Sequence, residues 1–295
     1  MLGTTVLAAG VIIGFLIPPL SALLNPMLPV AVFIFVCGTF LRADLSILKT
    51  TFLQPKIAVF FPLFAIAFMP ITVGVILKFA SIPQIIVSAV VLTLASPPSS
   101  GNAAMAKLFG YKGEAPLVII LVTMIAAPLT IPLVAAMVQV NVNAIDLMHG
   151  LVLLLFSTGA LAFLLRASFG KALATHASEV DKVVLGALFV FAIATMDGVL
   201  LASAESTVFT IFLVLSAFAL NIGMQCTGAL MAGGSTEQRI AVALTFGNRN
   251  VGLPWAVLGG SLDPTILLFF ALFQLPIFIL PLLLKSVIRQ RRDNL

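Results

Sequence analysis

Two short polar segments interrupt otherwise apolar runs: Ser96-Pro97-Pro98-Ser99-Ser100-Gly101-Asn102 and Gly247-Asn248-Arg249-Asn250. Hydroxyls and amides at Ser99, Ser100, Asn102, Asn248 and Asn250 can hydrogen-bond a small ligand, and Arg249 adds a fixed positive charge. Proline removes an amide donor and pushes the residue before it out of helical geometry, so helix cannot run through Pro97-Pro98. Glycine permits the break at Gly247. Ser99 or Ser100 then caps a second half-helix running to about Phe109. In lipid, free backbone groups find no water, so irregular backbone at that depth persists only where protein or a wet cavity covers it. One such interruption reads as an ordinary kink. Two in corresponding halves of a chain point to a transporter's binding site.

Arg249 is the basic residue placed mid-span, where insertion costs roughly 2.5–3.5 kcal/mol. Two readings stand: a structural arginine satisfied by half-helix carbonyls, or a charge that attracts an anion or replaces a mobile cation. Neither interruption holds an acid. Asp197, nearer the outer end of the seventh span, reads as wet or helix-capping, with partner of Arg249 as the alternative. Asn221 and Gln225 share one face of the eighth span and read as interhelical glue. No His/Glu metal motif, nucleophile elbow or carboxylate pair accompanies these residues, so an enzyme is not expected.

The elements that position them are apolar helices. Of 295 residues, 61% are hydrophobic and 8% charged, against about 25% charged in a soluble domain. A helix needs about 20 apolar residues to cross a bilayer, which gives ten candidate spans. These are 4–20, 27–42, 54–78, 83–109 (broken), 115–138, 145–166, 182–203, 206–230, 238–260 (broken) and 264–286. Residues 1–20 have no basic n-region or small-residue cleavage pattern and read as the first span. Short connectors leave one membrane domain over 1–295, with a basic tail at 289–295. Pro128, Pro132, Pro276 and Pro281 are expected to bend spans five and ten. Phe269, Phe270 and Phe273 read as lipid-facing or core surface. Cys37 and Cys226 read as apolar fillers.

Charge sets the orientation. With ten spans, thirteen of the fifteen basic residues fall on one face; Lys78 lies opposite and Arg249 within a span. That asymmetry puts both termini in the cytoplasm. The net charge of +5 is spread through short loops and is no nucleic-acid footprint. Asn102 and Asn250, Pro116 and Pro264, and Pro128 and Pro276 each lie 148 residues apart. Two repeats of five spans, about 1–140 and 141–288, would therefore enter the membrane in opposite senses, with a site at their interface.

With those residues in view, the chain resembles the bile acid:sodium symporter family. Residues 96–102 are similar to that family's Pro-Gly-Gly-rich segment ending in Ser-Asn. Residues 247–253 (Gly-Asn-Arg-Asn-Val-Gly-Leu) are similar to its Gly-x-Gln-Asn-Ser-Gly-Leu stretch, and Ala127-Pro128-Leu129-Thr130 to the sequence after the first crossover helix. The resemblance implies an all-α fold of ten helices in two inverted repeats, with helices 4 and 9 broken and crossing. A panel of spans 1, 2, 6 and 7 would rock against a core. It implies a secondary carrier of amphipathic organic anions in a bacterial-type inner membrane; no cofactor is expected, and the oligomeric state, a monomer among the options, is left open.

The resemblance also implies two sodium ions behind the crossover, and here the residues depart. Thr245 stands in place of a glutamate, Arg249 of a glutamine and Gly101 of a serine, while Asn102 and Asn250 are retained as residual sodium candidates. A guanidinium repels Na⁺, and the hard anionic ligand is gone, so two-sodium coupling is not expected. Arg249 is read as standing in for a sodium charge. Moving an anion inward against the membrane potential costs about 2.3 kcal/mol per 100 mV, so uncoupled transport would run outward or by exchange. The alternatives are a sodium-coupled symporter and a non-transporting receptor of the same fold.

Overall fold

The computed structural model describes residues 2–43, 45–108, 113–140 and 142–293. Among these the chain is helical, in the order α1 (Leu2–Leu16), α2 (Pro18–Arg42), α3 (Leu45–Phe52), α4 (Lys56–Phe79), α5 (Gln84–Ala95), α6 (Asn102–Leu108), α7 (Glu114–Met137), α8 (Ala144–Thr175), α9 (Ala177–Glu205), α10 (Thr207–Ala232), α11 (Thr236–Gly247), α12 (Gly252–Leu258) and α13 (Pro264–Asp293). Seven of them, α2, α4, α7, α8, α9, α10 and α13, are long and apolar enough to cross a membrane. Their outward faces carry Phe60, Phe68, Ile76, Ile125, Phe156, Phe163, Val208 and Leu230 in exposed positions. Apolar side chains in that number suit hydrocarbon rather than water. The chain is an all-helical protein compatible with a multi-pass membrane protein.

Several boundaries differ from the sequence reading, and proline explains the first. Pro18 and Pro19 begin α2 rather than ending α1, because the amide missing at a first-turn proline has no intrahelical partner anyway. Span one is thus 15 residues long, about 22 Å, and the expected loop at 21–26 is helical. The third span widens into π-helical turns at Lys56–Phe60 and Phe64–Phe68. Each is followed closely by a proline, Pro62 or Pro70, whose ring displaces the carbonyl four residues back. The sixth span runs on to Thr175 with a kink at Phe169, so the expected loop there is mostly helix. The last helix continues to Asp293, which makes the expected tail helical at its start. Phe109 and Lys112 lie outside the described residues.

Close packing is set by glycines. A Cβ on Gly14 would come within 2.6 Å of the Ile193 carbonyl oxygen, so α1 approaches α9 nearly backbone to backbone, and one on Gly38 would strike the Val184 side chain, so α2 seats that valine of α9. The packing pairs match across the two halves of the chain. α1 lies on α9 as α8 lies on α2; α4 lies on α5 as α10 lies on α11; α5 lies on α13 as α11 lies on α7. Pro128, Pro132, Pro276 and Pro281 sit inside uninterrupted helices. Phe269, Phe270 and Phe273 are fully buried, which assigns them to the core and not to lipid. Cys37 is buried, Cys226 is exposed, and both thiols are free.

Candidate functional site

Both interruptions are real breaks, and they meet. Between α5 and α6 the chain is extended from Ser96, and between α11 and α12 from Asn248. Pro98 and Arg249 pair as an isolated antiparallel bridge. The Ser99 amide donates to the Asn248 carbonyl at 2.8 Å, and the Asn250 amide donates to the Pro97 carbonyl at 2.7 Å. Each broken helix thereby supplies what the other lacks, because buried backbone groups must find partners. Residues 86–98 and 241–253 are buried throughout, which sets the bridge in the centre of the bundle.

A chain of amides holds this crossing from one side. Gln225 Nε2 donates to Asn221 Oδ1 at 2.6 Å. Asn221 Nδ2 donates to the Gly247 carbonyl at 2.9 Å and to Asn248 Oδ1 at 3.3 Å. Asn248 Nδ2 donates to Asn102 Oδ1 at 3.0 Å, and Asn102 Nδ2 returns to the Asn248 carbonyl at 3.3 Å. The expected glue role of Asn221 and Gln225 is thus more specific: Asn221 caps the carbonyl end of α11. Gly247 serves close approach, since a Cβ there would strike Gln225 Cγ and lie 2.9 Å from the Asn221 carbonyl oxygen.

Arg249 is 1% exposed. Alternation along the bridged strand turns it away from Asn248. Its Nη1 donates to the Ser96 carbonyl at 3.4 Å, while Nε and Nη2 find no partner. No ion pair joins it to any carboxylate among the described residues. Ser100 Oγ and Asn250 Nδ2 are also buried and unpartnered. The site thus presents donors in excess of acceptors around a buried cation. Such a group is costly unless an acceptor or counter-ion joins it.

Other expected residues fall elsewhere. Thr245 is buried, and its Oγ1 donates to the Ala241 carbonyl of its own helix at 2.7 Å. Ser99 is half-buried and its Oγ accepts a long bond from the Gly101 amide, 3.4 Å, while Ser100 caps nothing, so neither is the strong cap expected. Asp197 is exposed and accepts from Asn25 Nδ2 at 2.9 Å, far from the role of Arg249's partner. Its place is at the rim of a cavity of about 680 Å³ lined by Asn25, Asp197, Glu205, Phe209, Trp255 and Thr265. The sequence reading missed this cavity, and missed the Ser96 and Pro97 carbonyls, because backbone acceptors leave no mark in residue type. No protein-family model and no curated protein matches the chain.

At the opposite end of α2 and α9, Arg42 pairs with Asp181 at 2.6 Å, and Arg166 Nη1 donates to the Ala43 carbonyl. α2 and α9 run antiparallel, tied by a polar link at each end: Asn25 to Asp197, and Arg42 to Asp181.

Proposed function

We propose that this protein is a secondary carrier of organic anions that works by alternating access, a divergent relative of the bile acid:sodium symporters. One observation carries the reading: a fully buried, unpaired guanidinium at the point where two broken helices bridge each other. Irregular backbone is tolerated inside a membrane protein only where it is buried in protein or lines a wet cavity, and crossed discontinuous helices are the hallmark of repeat-built carriers.

The seven long helices, α1 and the two broken ones make ten transits, read as two inverted repeats of five. The matched packing pairs support that relation. The basic groups Arg42, Arg166 and Lys182 lie toward one end of α2 and α9, and Asp197 and Glu205 toward the other; this supports cytoplasmic termini in an inner membrane. In this reading α1, α2, α8 and α9 are the panel, and the remaining helices are the core that carries the bridge. Organic anion and lipid are then the partners, with no nucleic acid.

Coupling to two sodium ions is not part of the proposal. The Asn102 side-chain oxygen is engaged by Asn248, the Thr245 hydroxyl by its own helix, and Arg249 brings positive charge to the same crossing. Counterflow of labelled organic anions in proteoliposomes, with and without Na⁺, tests the reading. Trans-stimulation that is indifferent to Na⁺ is expected. Strict Na⁺ dependence would instead identify a symporter, and binding without trans-stimulation a receptor; either sinks the proposal.

A further inference from the structure

The cavity between the α2–α9 pair and α12–α13 carries charge and a donor that the bridge does not use. Its volume of about 680 Å³ falls in the range of small-molecule sites, roughly 300–1,000 Å³. Asp197 just precedes, and Glu205 ends, the Val199–Glu205 stretch of α9, and both are exposed carboxylates of its lining. No lysine, arginine or histidine lines it. One Asp197 oxygen is engaged by Asn25, and neither carboxylate joins an ion pair among the described residues.

An independent observation lies on α12. Trp255 is 7% exposed. Its ring is held edge-on by Phe191, with centroids 6.5 Å apart, and by Phe270 at 6.1 Å, so the indole has a fixed direction. The pyrrole edge crosses Gly259, another lining residue: a Cβ there would lie 3.1 Å from Cδ1 and 3.5 Å from Nε1. Nε1 donates to no acceptor among the described residues, although a buried indole N–H usually has one.

These features restrict the occupant. An anion meets two carboxylates and no cation, and is repelled. A hard divalent ion takes about six oxygens or more, and no group of three or more His, Cys, Asp or Glu side chains is placed for a metal among the described residues. Water satisfies the indole but gains nothing from the apolar walls of Leu28, Phe209 and Leu267.

We infer that this cavity binds an organic ammonium that also carries an oxygen acceptor, of the amino-ether or amino-alcohol class. Asp197 and Glu205 hold the ammonium, the oxygen accepts from Trp255 Nε1, and the hydrocarbon packs on Leu28 and Phe209. The site is separate from Arg249 and stands whether or not the chain is a carrier.

Trp255 is the one tryptophan in the chain, so its fluorescence reads this cavity directly. The test titrates the full-length protein, in nanodiscs of zwitterionic lipid, with four probes of similar shape. 2-Phenoxyethylamine has both charge and ether oxygen; 3-phenylpropylamine lacks the oxygen, 2-phenoxyethanol lacks the charge, and phenoxyacetate reverses it. 2-Phenoxyethylamine is expected to give a saturable change, with a Kd about tenfold below those of phenoxyethanol and phenoxyacetate. Its Kd is expected about threefold below that of 3-phenylpropylamine, as one net hydrogen bond implies. Asp197→Asn combined with Glu205→Gln is expected to erase the charge preference and keep the oxygen preference. The new amide oxygen at 197 can still accept from Asn25. Trp255→Phe, read by isothermal titration, is expected to erase the oxygen preference alone. Four results overturn the inference: 2-phenoxyethylamine binding no tighter than phenoxyacetate or phenoxyethanol, equal affinity of the two amines, a charge preference that survives the double substitution, or an oxygen preference that survives Trp255→Phe. The probe comparisons use the unaltered protein, so a misfolded variant does not protect the inference.

Discussion

The two breaks at the bridge solve one problem by different means. In the first, proline does the work: Pro97 and Pro98 end α5 from within, and the segment contributes mainly backbone, the carbonyls of Ser96 and Pro97 and the amide of Ser99. In the second there is no proline between α11 and α12, and the break depends on neighbours. Asn221 takes the Gly247 carbonyl, Asn102 takes the Asn248 side chain, and the first strand takes the Asn248 and Asn250 backbone. Local covalent geometry imposes one break; tertiary contact imposes the other. The chemistry-bearing side chains, Asn248, Arg249 and Asn250, all sit on the second strand. A rigid acceptor strand therefore faces a strand held only by its partners.

That contrast can be broken by mutation, and the largest effect is expected at Asn248. Asn248→Ala strands the oxygen of Asn102 and one donor of Asn221, and each buried group left unpartnered costs about 1–3 kcal/mol. Thermal unfolding in detergent should show that loss, and a cycle with Asn102→Ala should show coupling of about 0.5–3 kcal/mol. Additive effects would mean that the amide chain is not a unit. Next comes a matched glycine pair. Gly247→Ala forces a methyl into Gln225 and should cost about 1–3 kcal/mol. Gly101→Ala meets nothing nearer than Ser99 Oγ at 3.8 Å, and should stay within about 0.5 kcal/mol. Equal losses at the two glycines would erase the asymmetry between the two breaks. A smaller effect than at Asn248 or Gly247 is expected at Pro97→Ala. The carbonyl that accepts from Asn250 remains, and the change acts mainly on the unfolded chain, by about 0.4–1 kcal/mol. A loss as large as that at Asn248 would show that proline does more than end α5.

Much of this arrangement is visible in residue order. Both interruptions stand out because polar, helix-breaking residues are rare in apolar runs, and Asn102, Asn248, Arg249 and Asn250 are brought together as their positions suggest. The grouping of Asn221 with Gln225 on one helical face also holds. What went unseen depends on contacts distant in sequence. Whether Pro18 ends a helix or starts one is ambiguous locally, since proline suits a first turn and a following loop alike. The Thr245 hydroxyl is engaged by the Ala241 carbonyl of its own helix, because a buried threonine can bond the carbonyl four residues back. Asp197 finds Asn25, 172 positions away, and nothing near it in sequence says so.

Apolar run length, together with the short range of proline and glycine effects, determined by itself that the chain is a set of long apolar helices with two interruptions. Only the tertiary structure decided that those interruptions pair with each other, that an asparagine on α10 caps one of them, and that the Arg249 fork is left without a partner. The physical reason is the reach of the forces involved. A dihedral constraint acts over one or two residues and is written in the residue itself. A hydrogen bond across the bundle exists only once every helix between its ends has packed.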